Sequence, residues 1–137
     1  MWWLYALLSA LFAALTAIFA KIGIKDVNTD LATAIRAVII LIIAWGIAFF
    51  RGSTMAIHSL TKQNIIFLCL SGIATGLSWI FYFKALQLGK VSQVAPVDKL
   101  SVALAIILAI LFLGEPVTLK DLAGAALIII GTLILIF

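Results

Sequence analysis

The sequence predicts an all-α integral membrane protein, a bundle of five transmembrane helices. Three observations predict it. Of 137 residues, 66% are hydrophobic and only 10% are charged, whereas soluble domains average about 45–50% apolar and about 25% charged. Mean hydropathy is +1.36. The apolar residues fall into long uncharged runs without strict alternation, which fits helices and excludes a β-barrel. Nine Lys and Arg against five Asp and Glu leave a net charge of +4. The basic residues form no stripe, so nucleic acid is not an expected partner. Basic residues flanking membrane spans account for such an excess. A soluble enzyme, a disordered chain and a nucleic-acid-binding module are all excluded.

A span needs about 20 mostly apolar residues. Five stretches qualify, at about residues 2–20, 31–50, 64–83, 94–113 and 119–137, in one domain covering 1–137. The first has no basic n-region before its apolar core, so it is read as a mature span and not as a signal peptide. It ends at Lys21, with Gly23 following. Asn28, Thr29 and Asp30 are candidate N-caps for the second span, and Thr61 for the third. Gly89 and Gly114 suit the ends of the third and fourth. Pro96 begins or kinks the fourth, because it has no N–H to donate. Thr118-Leu119-Lys120-Asp121 has capping-box spacing for the fifth. The connections are short, so neighbouring spans run antiparallel. Residues 51–62 form a longer interfacial loop, in which His58 is solvated. Cys69, the one cysteine, excludes an internal disulfide and is read as a small buried hydrophobe.

Orientation is weakly specified. The N-terminal side carries Arg51, Lys62 and Lys120, and the opposite side Lys21, Lys25, Lys84 and Lys90. This near balance favours the opposite side as cytoplasmic only modestly and is compatible with insertion both ways.

Charges inside spans are costly and need a reason. Arg36, Asp98 and Lys99 lie about 6–8 Å inside the same boundary at 1.5 Å per residue. Lys21 and Lys84 sit at span ends, where snorkelling to headgroups explains them. Two readings stand for the deeper three. In one, Arg36, Asp98 and Lys99 form a polar binding site: Asp98 pairs with Arg36 and leaves Lys99 for an anionic substrate, or Asp98 carries a proton. In the other, Arg36 and Lys99 snorkel, or Asp98 and Arg36 form a structural tie. In the third span, Thr75, Ser78, Trp79 and Tyr82 follow i, i+3, i+4, i+7 spacing and share one face. That face is a candidate substrate path, against the alternative of hydroxyls bonded to backbone and aromatics at the interface. Gly72 and Gly76, Ala6, Ala10 and Ala14, and Gly124 with Gly131 offer smooth faces for helix approach. There is no Ser/His/Asp set, no metal-ligand cluster and no phosphate-binding loop. No enzyme activity, cofactor or metal is therefore expected.

Tyr82-Phe83-Lys84-Ala85-Leu86-Gln87-Leu88-Gly89, then Val94-Ala95-Pro96-Val97-Asp98-Lys99-Leu100-Ser101, then Phe112-Leu113-Gly114-Glu115-Pro116-Val117-Thr118 and the Gly124…Gly131 helix come in characteristic order. Together with the Trp-rich first span and Lys21, this resembles the EamA-like domain of the drug/metabolite transporter superfamily, over essentially the whole chain. Most members resemble two such domains in tandem, related as inverted repeats with the substrate between them. The resemblance therefore implies that a five-span chain pairs with a partner, most simply a second copy in antiparallel orientation. The four-span exporters of the superfamily rely on a glutamate in their first span, which here has no acid. Coupling would then fall to Asp98. The implied function is secondary transport of small metabolites or drug-like molecules, as a homodimer in the bacterial inner (plasma) membrane with lipid around it. The alternatives are a subunit of a flippase for lipid-linked substrates and a non-transporting accessory protein.

Overall fold

The computed structural model describes residues 2–137; Met1, which belongs to the first apolar run, lies outside the described residues. The described residues contain six α-helices and no strand. They are α1 (Trp2–Gly23), α2 (Thr29–Phe50), α3 (Lys62–Leu88), α4 (Val91–Asp98), α5 (Leu100–Leu108) and α6 (Leu119–Ile136). A 3-10 segment, Ser53–Ser59, occupies the loop before α3, and a π-helical turn, Ala109–Leu113, ends α5. Counting α4, α5 and the π-turn as one stretch, Val91–Leu113, five helical segments are long and apolar enough to cross a membrane.

Local chemistry sets the helix ends. The Asn28 side chain accepts from the amides of Asp30 and Leu31, at 2.8 and 3.2 Å, and so caps α2. The Thr61 hydroxyl accepts from the Asn64 amide at 3.2 Å. At α6 the capping box is complete: Thr118 Oγ1 accepts from the Asp121 amide, and Asp121 Oδ2 accepts from the Thr118 amide at 2.9 Å. Gly114 closes the π-turn with φ of 65°, a left-handed conformation that favours glycine.

Two boundaries differ from expectation. The third span runs on to Leu88, five residues beyond the apolar run, because Ala85, Leu86, Gln87 and Leu88 keep good helix propensity to the Gly89 stop. Lys84 is therefore one turn inside α3. The fourth span starts at Val91 and is broken. Pro96 cannot donate to the Ser92 carbonyl, and the Lys99 amide bonds back to both Ala95 O and Pro96 O, at 3.3 and 3.0 Å. The chain restarts as α5 at Leu100.

The chain divides into two compact units: Ala20–Gln87, and Leu88–Phe137 with the part of α1 up to Phe19. In the second of these, α6 packs on both α4 and α5. The buried Thr132 hydroxyl ties them together, lying 3.2 Å from Pro96 O and 2.8 Å from Ile128 O of its own helix. In Ala20–Gln87 the buried apolar residues are Ala20, Ile24, Phe83 and Leu86. Its elements are tied by polar side chains at one end. Lys21 Nζ donates to Leu86 O. Gln87 Nε2 donates to Ile24 O at 3.0 Å and Val27 O at 2.9 Å. Lys21 thus bonds the end of α3, where the sequence suggests snorkelling to headgroups.

Large apolar side chains are exposed along every span, as suits helices whose outer faces meet lipid. Cys69 corrects another expectation: it is exposed. It lies on the half of α3 that has no buried residue, so its apolar surroundings in sequence are not a protein core. The smooth faces are open as well. A Cβ built on Gly72, Gly76, Gly124 or Gly131 meets nothing within 4 Å.

Candidate functional site

The residues that gather around a membrane-embedded charge lie in Ala20–Gln87. Arg36 is seven residues into α2, about 10 Å from its start. Its guanidinium carbon sits 4.1 Å from the centre of the Phe83 ring and 5.9 Å from that of Trp79. Both distances are within cation–π range. Phe83 is buried, and it meets Tyr82 edge-on at 5.7 Å between ring centres. Tyr82 is near enough to interact electrostatically with Arg36. One terminal nitrogen of Arg36, Nη1, is shielded from solvent and has no hydrogen-bond partner. Ring faces balance charge but accept no in-plane N–H bond, so this donor is unmet.

Helix geometry explains the cluster. Trp79 and Phe83 are one turn apart on α3, with Tyr82 beside them. Arg36 is the residue of α2 that meets these rings.

The other α3 positions behave differently. Thr75 Oγ1 donates to Ser71 O at 2.9 Å, within its own helix. Ser78 is exposed. Of the face read from the sequence, Trp79 and Tyr82 therefore join Arg36, while Thr75 has its hydroxyl satisfied locally. Phe83 is the member that the sequence reading omits. Its signal is its place four residues after Trp79.

Asp98 and Lys99 belong to the other unit. Asp98 is the last residue of α4, and Lys99 is the junction to α5. Lys99 Nζ lies 3.3 Å from Asp98 Oδ2, the one ion pair found among the described residues. The sequence offers Arg36 as partner for Asp98; in the structure the ion-pair partner is Lys99. Lys99 keeps a right-handed backbone, with φ of −71° and ψ of −10°, and its long side chain reaches back to the neighbouring carboxylate. Lys99 is exposed and Asp98 half-buried.

Two cavities lie elsewhere. One, of about 400 Å³, is bounded by α5, the π-turn, Glu115, Pro116 and Asp121. The other, of about 230 Å³, lies between Trp45 of α2 and the 3-10 segment. Neither is lined by the seven residues singled out from sequence. No group of three or more His, Cys, Asp or Glu able to hold a metal occurs among the described residues.

Comparison with known proteins adds the family. Residues 1–137 match the EamA-like transporter family. The chain is 47% identical over 134 residues to an uncharacterized transporter in the cobO 3' region of Sinorhizobium sp., covering 98% of this chain and 95% of that one. It is 35% identical over 77 residues to an uncharacterized protein of Methanocaldococcus jannaschii, covering 56% of each. No solved structure matches.

Proposed function

The chain belongs to the EamA-like transporter family, and on that premise we propose that it is a secondary transporter of small metabolites or drug-like molecules. It acts as one five-span domain, paired with a second copy in the bacterial inner membrane. Arg36 carries the reading. A permanent charge inside a span marks a substrate or ion path by default, and this one is turned onto aromatic rings of the neighbouring span. Pairing is supported by the Sinorhizobium relative, which bears a transporter's name at a length that this chain covers to 95%. The open Gly72 and Gly76 face of α3 also supports it, since it would admit a neighbouring helix.

The test is flux. Purified protein in liposomes is offered a panel of cationic, neutral and anionic metabolites under an imposed pH gradient. Saturable uptake of at least one class, absent from protein-free liposomes, is expected. No flux of any class would leave an accessory role. Crosslinking in native membranes tests the pair, and a fully active monomer defeats it.

A further inference from the structure

We propose that Arg36 is the anchor of a binding site for a singly charged oxyanion, a carboxylate or phosphodiester carried on an apolar body. This rests on the transporter reading and names the ligand class of that site.

The argument begins with unmet valence. The guanidinium stays charged in a protein and presents its N–H groups in one plane. The Phe83 and Trp79 ring centres lie 4.1 and 5.9 Å from its central carbon, and a ring face accepts no in-plane N–H bond. Nη1 has no partner. An unmet donor at membrane depth is costly, because lipid offers it nothing. Charge is unmet as well. Asp26 and Asp30 are the only acids in the unit that holds Arg36. The one ion pair among the described residues is Lys99 with Asp98, so neither acid is bonded to it.

An oxyanion supplies what is missing. Two oxygens match the fork of the guanidinium edge. One negative charge neutralises the site, whereas a dianion would leave a surplus charge in the span. The aromatic side chains and the apolar spans around them favour a ligand with an apolar body. Arg36 as a whole is half-buried, so part of its side chain is open to a ligand.

Two sources offer this chemistry: a soluble organic acid, and the headgroup of an anionic lipid. The experiment separates them. The full chain, purified in dodecyl maltoside and stripped of lipid, is titrated with phenylacetate, benzylamine, benzyl alcohol and dioleoylphosphatidylglycerol. Its unfolding temperature is followed for the wild type, Arg36→Lys and Arg36→Gln.

Saturable stabilisation by phenylacetate is expected, with none from the amine or the alcohol. Arg36→Gln should weaken apparent affinity about tenfold or more, and Arg36→Lys by less, since it keeps charge but loses the fork. Stabilisation by phosphatidylglycerol alone, with the same dependence on Arg36, assigns the site to a headgroup. No stabilisation of the wild type by either anion overturns the proposal. So does an affinity unchanged in Arg36→Gln, or unchanged in Arg36→Lys should the glutamine variant not fold. Flux keeps the two readings apart. Arg36-dependent binding without flux sinks the transporter reading alone; flux with Arg36-independent binding sinks the anion site alone.

Discussion

The guanidinium of Arg36 lies 4.1 Å from the centre of the Phe83 ring, joining α2 to α3 through a charge and a buried aromatic. The pair should be coupled energetically. Phe83→Leu keeps apolar bulk and removes the ring, and Arg36→Met removes the charge and keeps the stem. Each should destabilise the protein in detergent. A double-mutant cycle should return a coupling of about 1 kcal/mol. Strict additivity in chemical unfolding would show that the ring fills space without binding the cation.

Gln87 is a second tie within the same unit. Its amide nitrogen donates to two carbonyls of the α1–α2 turn, at 3.0 and 2.9 Å. Gln87→Ala should cost about 1–2 kcal/mol, since net hydrogen bonds contribute about 0.5–1.5 kcal/mol each. Gln87→Glu should cost more, because a carboxylate has no donor and faces two carbonyl oxygens. Hydrogen exchange at the amides of residues 24–27 is the sensitive readout, and it should quicken in the order wild type, alanine, glutamate.

Helix ends and helix faces differed in how far sequence revealed them. Caps are decided within four residues, so Asn28, Thr61, Thr118 with Asp121, and Gly114 could be named from the sequence. Spans were legible from the length of their apolar runs. The contacts of Arg36 were not. A helix that is apolar on nearly all sides, as α3 is, carries no stripe to say which face meets its neighbour. Thr75, Ser78, Trp79 and Tyr82 are on one face as read, but which of them approaches Arg36 depends on the placement of α2. The partner of Asp98 was hidden for another reason. Adjacent residues on a helix are about 100° apart, so spacing alone does not reveal that the long Lys99 side chain reaches back to Asp98.

The capping box of α6 gives a prediction independent of function. Asp121 Oδ2 accepts from both the amide and the hydroxyl of Thr118, at 2.9 and 2.7 Å. Thr118→Ala loses the hydroxyl as acceptor for the Asp121 amide and should cost about 1 kcal/mol. Thr118→Ser should cost little. Equal unfolding midpoints for the alanine and serine variants would show that α6 is held by its packing on α4 and α5 without help from the cap.

Two left-handed residues should respond in opposite directions. Gly114 has φ of 65°, and a Cβ built there meets nothing within 4 Å. Gly114→Ala therefore tests backbone conformation alone and should destabilise by about 1–2 kcal/mol. Asp26 has φ of 61° and is exposed. Asp26→Gly removes the Cβ penalty and should stabilise by a few tenths to about 1 kcal/mol, offset by the added freedom of the unfolded glycine. Opposite shifts in thermal midpoint would confirm that both positions keep this conformation in the membrane protein.

Asp98 provides the sharpest functional prediction. It is the one acid well inside a span, and its partner Lys99 is itself exposed. A pair so open to its surroundings contributes about 0.2–1 kcal/mol to stability. Asp98→Asn should therefore leave the unfolding midpoint nearly unchanged. If this carboxylate couples transport to protons, the same variant should lose the flux component driven by a pH gradient and keep exchange of substrate across the membrane. Exchange without accumulation is the signature of a lost coupling group, since binding survives while the proton has no carrier. Lys99→Gln supplies the control. It removes the neighbouring cation and leaves the carboxylate, so accumulation under a pH gradient should persist. Accumulation that is unaltered in both variants would reduce the pair to a local contact at the α4–α5 break.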